Sequence, residues 1–171
     1  MDYFIGDLHF GDKDIIHFGR GQFKTLDNME KVLIKNWRAN IKPSDTVYVN
    51  GDFFDAEYTT KEHMKEILSQ LTGKIVVIKG NHDIGLEEMF KELGVELCNY
   101  PILYKEWYIV SHEPLFITEA SPYANIYAHV HNSPTYKDVS SRSICTSADR
   151  INFTPISFDE IKRRMKKARE N

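Results

Sequence analysis

The chain has 171 residues, 42% of them hydrophobic and 27% charged, with a net charge of -3. That is enough for one domain with a real core, expected to span residues 1–171, and it argues against disorder or a broadly basic nucleic-acid surface. Two cysteines are too few for a disulfide framework and suit a reducing cytoplasm. The acidic N-terminus lacks the basic and apolar regions of a signal peptide, and no apolar run nears the ~20 residues that span a bilayer, so no membrane partner is expected.

Residues 3–6 read as a first strand, followed by a helix over 26–40 whose stripe is Met29, Val32, Leu33 and Trp37. "TVYVN" (46–50) predicts a second strand. Residues 61–71 place Met64, Ile67, Leu68 and Leu71 at helical spacing, with Thr59 and Glu62 as a capping box and Gly73 beyond the end. "IVVIK" (75–79) is a third strand; Leu86, Met89, Phe90 and Leu93 mark another helix, stopped by Gly94. Thereafter 95–98, 102–104, 107–111, 125–128 and 143–146 are short strands with little helix between them. Ser157 and Glu160 cap a terminal helix through about residue 169, with Ile161, Met165 and Ala168 facing inward. The first half is thus βαβαβα and the second mainly β, an α/β chain able to form two packed sheets with helices outside.

Polar clusters follow five of these strands: "GDLH" (6–9), "NGDFFD" (50–55), "GNHD" (80–83), "SHEP" (111–114) and "AHVH" (128–131). Ligands of open α/β sheets gather beyond the carboxyl ends of strands, so the five can converge. They contain five of the seven histidines: His9, His82, His112, His129 and His131. Asp7 and His9 are two apart, as are His129 and His131, which in extended chain points each pair to one side. Mixed imidazole and carboxylate donors suit divalent transition metals.

The ordered series Asp7-x-His9, Gly51-Asp52-x-x-Asp55, Gly80-Asn81-His82-Asp83, His112 and His129-x-His131 resembles the calcineurin-like metallophosphoesterases. The tract "DLHFGDKDIIHFGRGQF" looks like a compact prokaryotic or phage branch of that family. The resemblance implies a four-layer α/β/β/α sandwich of two packed mixed β-sheets flanked by helices. It implies that Asp7, His9 and His131 hold one divalent cation and Asn81, His112 and His129 a second, with Asp52 bridging. Mn²⁺ is favoured, Fe or Zn²⁺ being the alternatives. A bridging hydroxide would attack phosphorus in line, while the catalytic His82, steered by Asp55, would face the substrate phosphate or the leaving group and donate a hydrogen bond or a proton. Three positions depart from the family pattern: Ala128 replaces the usual Gly before His129, Asp12 a frequent His, and Gly21 the Pro after Arg20.

Ordinary roles compete at single positions. Arg20 is a candidate substrate-binding residue for phosphate, or a solvated loop arginine. His17 and His63 read as helix-surface residues, Asp83 as structural, a cap of the next helix. "KRRMKKAR" (162–169) reads as a solvated helix face rather than a nucleic-acid patch. The expected activity is phosphodiester hydrolysis on a small-molecule or nucleotide substrate. A phosphomonoesterase or protein phosphatase, a nuclease and a non-catalytic scaffold are the rivals, and nucleic acid is a less favoured partner. The oligomeric state is left open.

Overall fold

The computed structural model describes residues 1–170. A five-stranded sheet has the order β4-β3-β2-β1-β9, formed by β1 (Asp2–Ile5), β2 (Thr46–Val49), β3 (Lys74–Ile78), β4 (Glu96–Cys98) and β9 (Ile156–Ser157). Its first four strands are parallel, and β9 lies antiparallel to β1. A four-stranded sheet has the order β5-β6-β7-β8, from β5 (Ile102–Tyr104), β6 (Tyr108–Val110), β7 (Ala124–Tyr127) and β8 (Ser143–Cys145). Here β5 is antiparallel to β6, and β6, β7 and β8 run parallel. This is the mixed α/β fold of two packed mixed sheets flanked by helices that the sequence predicts.

The sheets meet through aromatic side chains. Phe4 on β1 stacks on Tyr48 of β2, 5.2 Å between centroids, and meets Tyr104 of β5 edge-on at 5.3 Å. Alternation along a strand sends neighbours to the opposite face. That face of the first sheet carries Ile5, Val47, Val49 and Val77, which share the core with residues of α2 (Leu26–Asn40), α3 (Lys61–Gln70) and α4 (Glu87–Glu92). From these helices come Met29, Leu33 and Trp37, then Met64 and Ile67, then Phe90. The helix α5 (Phe158–Glu170) buries Phe158, Ile161 and Met165 and lies across β1, β8 and β9; Ala168, expected inward, is exposed.

Several local readings shift. The cap of α3 is Thr60, whose side chain accepts from His63 N–H, whereas Thr59 contacts the His63 ring. A short helix α1 (Ile15–Phe18) lies ahead of α2, and a 3-10 turn at Ala148–Arg150 follows β8. Neither they nor the two-residue β9 carry enough periodicity to be read in advance.

Parallel strands joined by helices bring the carboxyl ends of β1, β2 and β3 to one edge. The ends of β6 and β7 arrive opposite them, because the sheets are tied where β1 ends. Gly6 N–H donates to Thr146 O, and Ala148 N–H donates to Gly6 O, both at 2.9 Å. A Cβ on Gly6 would fall 2.4 Å from the Cβ of Ala128, so the alanine occupies space the glycine leaves. Ala128 is absent from the positive-φ residues, and alanine is therefore unstrained there.

Candidate metal centre

All five polar segments reach one place, but not as extended chain. Asp7, His9, Asp52, His129 and His131 each have φ between 45° and 70°, in the left-handed region. The two-residue spacing of Asp7 and His9 works through this tight bend and not through strand alternation. Backbone bonds hold the bend: Asp7 N–H donates to Gly51 O, His9 N–H to Asp52 O and Phe10 N–H to Phe53 O.

Two groups of donors emerge. Asp7, His9 and His131 bring one ligand atom each to within 4.8 Å of one another, and so do Asp52, His112 and His129. In the second group His112 Nε2 lies 3.0 Å from His129 Nδ1, 2.9 Å from Asn81 Oδ1 and 3.3 Å from Asp52 Oδ2. Asp52 Oδ2 is also 3.6 Å from His9 Nε2, placing this carboxylate between the groups. The structure therefore brings Asp7, His9, His131, Asp52, Asn81, His112 and His129 together.

The donor set fits divalent cations on two observations. His9 is 1% exposed and neither ring nitrogen has a hydrogen-bond partner; Nδ1 is 3.2 Å from Asp12 Oδ2, off the line a bond requires. Buried unpaired polar atoms are costly unless something binds them. Second, two imidazole nitrogens, a carboxylate and an amide oxygen crowd one spot, where a cation would satisfy all four lone pairs. The outer partners agree. His112 Nδ1 donates to Asn50 O at 2.9 Å and His131 Nδ1 faces Asp149 Oδ2 at 3.0 Å, leaving each Nε2 free to ligate. Ser147 Oγ donates to Asp7 Oδ2, and His129 N–H to Asp7 Oδ1.

Electrostatics follow from crowding. Burial opposes ionisation of Asp52, but the hydrogen bond and charge of His112 outweigh it and hold the carboxyl at about 2. Burial likewise opposes protonation of His112, and Asp52 and Asp7 push it up to about 9. A cation entering would displace that proton.

His82 stands beside this set. Its Nδ1 is 2.5 Å from Asp55 Oδ2, and its backbone N–H donates to Asp52 Oδ1 at 2.8 Å. His9, Asp55 and His82 also come within ligating reach of one another, but the bond to Asp55 commits His82 Nδ1 elsewhere. The His82 ring lines a cleft of ≈ 630 Å³ with His9, Asp12 and His131.

Arg20 requires correction as a phosphate contact. It is 0% exposed, and its guanidinium is used up inside the protein. It pairs with Asp149 through Nε and Nη2, and donates to the carbonyls of Leu8 and Asp7. It braces the first loop from beneath. Asp83 is structural as expected, though not as a helix cap: it accepts from Phe53, Phe54 and Gly80 N–H. His17 is exposed, while His63 is half-buried against Glu30.

Sequence reading missed Asp149, Ser147, Asn50 and the placement of Asp12. Asn50 lies inside the polar segment 50–55, and Asp12 stands out in the sequence only as a departure from the family pattern. Asp149 sits 129 residues from Arg20, with no motif around it.

The sequence model of the family described as calcineurin-like phosphoesterase matches residues 3–168. An uncharacterized protein of Methanocaldococcus jannaschii, MJ1445, is 30% identical over 177 residues, covering 98% of this chain and 92% of that protein. The crystal structure of AQ665 from Aquifex aeolicus, described as a protein of unknown function, superposes with a TM-score of 0.73 at 25% identity, over 95% of this chain and 98% of that one. The nuclease MPE of Pseudomonas putida gives a TM-score of 0.52 at 18% identity, over 76% of this chain and 60% of that one, a likeness of fold.

Proposed function

Because the chain belongs to the calcineurin-like phosphoesterase family, we propose that it is a dinuclear-metal phosphodiesterase acting on a small-molecule or nucleotide ester. The observation that carries this is the meeting of two donor groups around Asp52, with the His82–Asp55 pair beside them. One cation would be held by Asp7, His9 and His131, the other by Asn81, His112 and His129, with Asp52 shared. Mixed oxygen and imidazole donors favour Mn²⁺ over Fe and Zn²⁺. When bound, two such cations make water a stronger nucleophile at neutral pH and offset charge on the phosphoryl oxygens.

The chain's own residues supply the rest. Asp55 accepts the Nδ1 proton of His82 and fixes the ring, leaving Nε2 toward the cleft. When protonated at Nε2 as well, His82 gives the Nε2 proton to the departing ester oxygen as the P–O bond breaks, an effect worth typically ~10²–10⁴-fold. Asn50 O and Asp149 orient His112 and His131. Arg20 and Asp83 keep the loops from moving, and play no part in proton transfer.

A nucleic-acid substrate has less support. The main basic tract lies on α5, where Lys162 pairs with Asp159, and Arg163 and Arg164 pair with Glu160. The free thiols of Cys98 and Cys145 suit a reducing compartment such as the cytoplasm.

Mn²⁺-loaded protein is expected to hydrolyse bis(4-nitrophenyl) phosphate, with release of nitrophenolate stopped by a chelator and restored by Mn²⁺. Faster turnover of 4-nitrophenyl phosphate would favour the monoesterase. Metal binding without cleavage of either ester would leave a scaffold.

A further inference from the structure

Two clefts reach the donor cluster, and they share no side chain. The ≈ 630 Å³ cleft holds His9, His82 and His131. The other, ≈ 300 Å³, is entered past Asn81 and His112 and walled by Ile84, Tyr100, Pro101 and Leu115. Its walls come from three separate segments: the turn after β3, the link between β4 and β5, and the loop after β6. Tyr100 is 80% exposed and Ile84 62%. An aromatic and a branched aliphatic surface held open to solvent beside polar ligands contribute nothing to the core, and large exposed apolar groups in one patch mark binding sites.

A phosphodiester has two ester arms, and in-line displacement sends the leaving arm away from the attacking oxygen. His82 faces the larger cleft, so the arm that leaves goes there. The retained arm needs a second place, and the smaller cleft opens at the Asn81–His112 side of the same cluster. Tyr100 and the apolar walls suit a planar group. Asn99 and Glu113, also lining this cleft, offer an amide and a carboxylate to its hydrogen-bonding edge. A nucleobase combines both properties.

Resting on the hydrolase reading above, we propose that the second cleft binds the retained substituent of the diester and that this substituent is a nucleoside, its base laid against Tyr100. The bond from phosphorus to the leaving arm breaks and His82 protonates that oxygen; water delivers its OH to phosphorus, its other proton restores His82, and a nucleoside monophosphate stays behind.

The test compares two esters with one leaving group on the Mn²⁺-loaded full chain: the 4-nitrophenyl esters of thymidine 5′-phosphate and of methyl phosphate. Base–aromatic stacking predicts a kcat/KM at least about tenfold higher for the thymidine ester, carried by KM. Tyr100→Ala, at an exposed loop position, is expected to bring the ratio to within about twofold, whereas Trp107→Ala on the distant hairpin leaves it unchanged. A ratio near one in the unaltered protein, or a ratio kept in Tyr100→Ala, overturns the proposal. If no ester is cleaved, the hydrolase reading fails by itself. Calorimetric titration of the Mn²⁺-loaded chain then decides the subsite: about tenfold tighter binding of thymidine 5′-monophosphate than of methyl phosphate supports it, and equal affinities overturn it.

Discussion

Gly80 has no space for a side chain: a Cβ would fall 2.2 Å from Asp52 Oδ1 and 2.4 Å from its backbone nitrogen. Its φ is not positive, so the glycine serves close approach rather than an unusual bend. Gly80→Ala must therefore displace the carboxylate proposed to be shared. Metal affinity is expected to fall about 10–100-fold, and elemental analysis after dialysis against limiting Mn²⁺ would expose an unchanged content that rejects the shared role. Strain points to the same place. Asp7, His9, Asp52, His129 and His131 all hold left-handed backbone, a conformation costing about 1–3 kcal/mol per residue and persisting where surrounding bonds over-determine it. His82 separates proton chemistry from ligation. His82→Ala is expected to keep both cations and lose about 10²–10⁴-fold in kcat, measured with a diester whose leaving arm is an alkoxide, because nitrophenolate departs without a proton. If the variant binds one cation fewer, His82 belongs to the ligand set with His9 and Asp55. At this scale the sequence showed the donors well, because each follows a strand in a short polar segment. It showed their supports poorly, because Arg20 and Asp149 meet only after the chain has returned through the second sheet.

Elements put these residues in reach, and their anchors carry their own tests. Asp83 ties the loop after β2 to the end of β3: Oδ1 accepts from Phe53 and Phe54 N–H, and Oδ2 from Gly80 N–H. Burial pushes its carboxyl up to about 6 despite the Gly80 donor. In Asp83→Asn an amide N–H must face the Gly80 N–H, leaving a buried donor unpaired at about 1–3 kcal/mol. Urea unfolding of the chelated protein is expected to show that loss; an equal midpoint would mean the anchor is dispensable. A second anchor joins α3 to α2. His63 lies 3.3 Å from Glu30, which also accepts from Gly11 N–H at 2.9 Å. Bonding to Glu30 raises the His63 pKa above its unfolded value of about 6.5 against opposition from burial. A raised folded pKa means full stabilisation below about 6.5 and loss as pH climbs through the folded value. Since both side chains are partly exposed, the effect is held to about 0.2–1 kcal/mol. Between pH 6 and 9 the unaltered protein should lose that much relative to His63→Gln, and parallel curves would discard the pair. Elements were legible where pattern was long. The range of α2 follows from its stripe, and the structure adds the cap, Thr25, whose side chain accepts Asn28 N–H. The two-residue β9 and the four-residue α1 give no period to read, and the capping-box match of Thr59 with Glu62 points one residue short of the observed cap, Thr60.

Across the whole molecule the donor cluster is a seam between two sheets. Asp7, His9, Asp52 and Asn81 follow β1, β2 and β3 of the first; His112, His129 and His131 follow β6 and β7 of the second. Protein bonds already cross that seam. Asn50 Nδ2 donates to Ile126 O at 3.0 Å, and Gly6 exchanges backbone bonds with the segment after β8. The strand–helix order predicts such an arrangement, but which strand ends oppose one another depends on how Phe4, Tyr48 and Tyr104 stack, which no local pattern encodes. A cation held by donors from both sheets binds only the folded chain. At a hundredfold excess over its dissociation constant each site adds about 2.7 kcal/mol. For a domain of this size that raises Tm by about 5–10 °C. Calorimetry with and without Mn²⁺ should show the rise, chelator should remove it, and Asp52→Asn should lose most of it because one carboxylate serves both sites. A rise that survives Asp52→Asn would place the stabilising cations elsewhere on the protein, and the two sheets would then be held together by protein contacts alone.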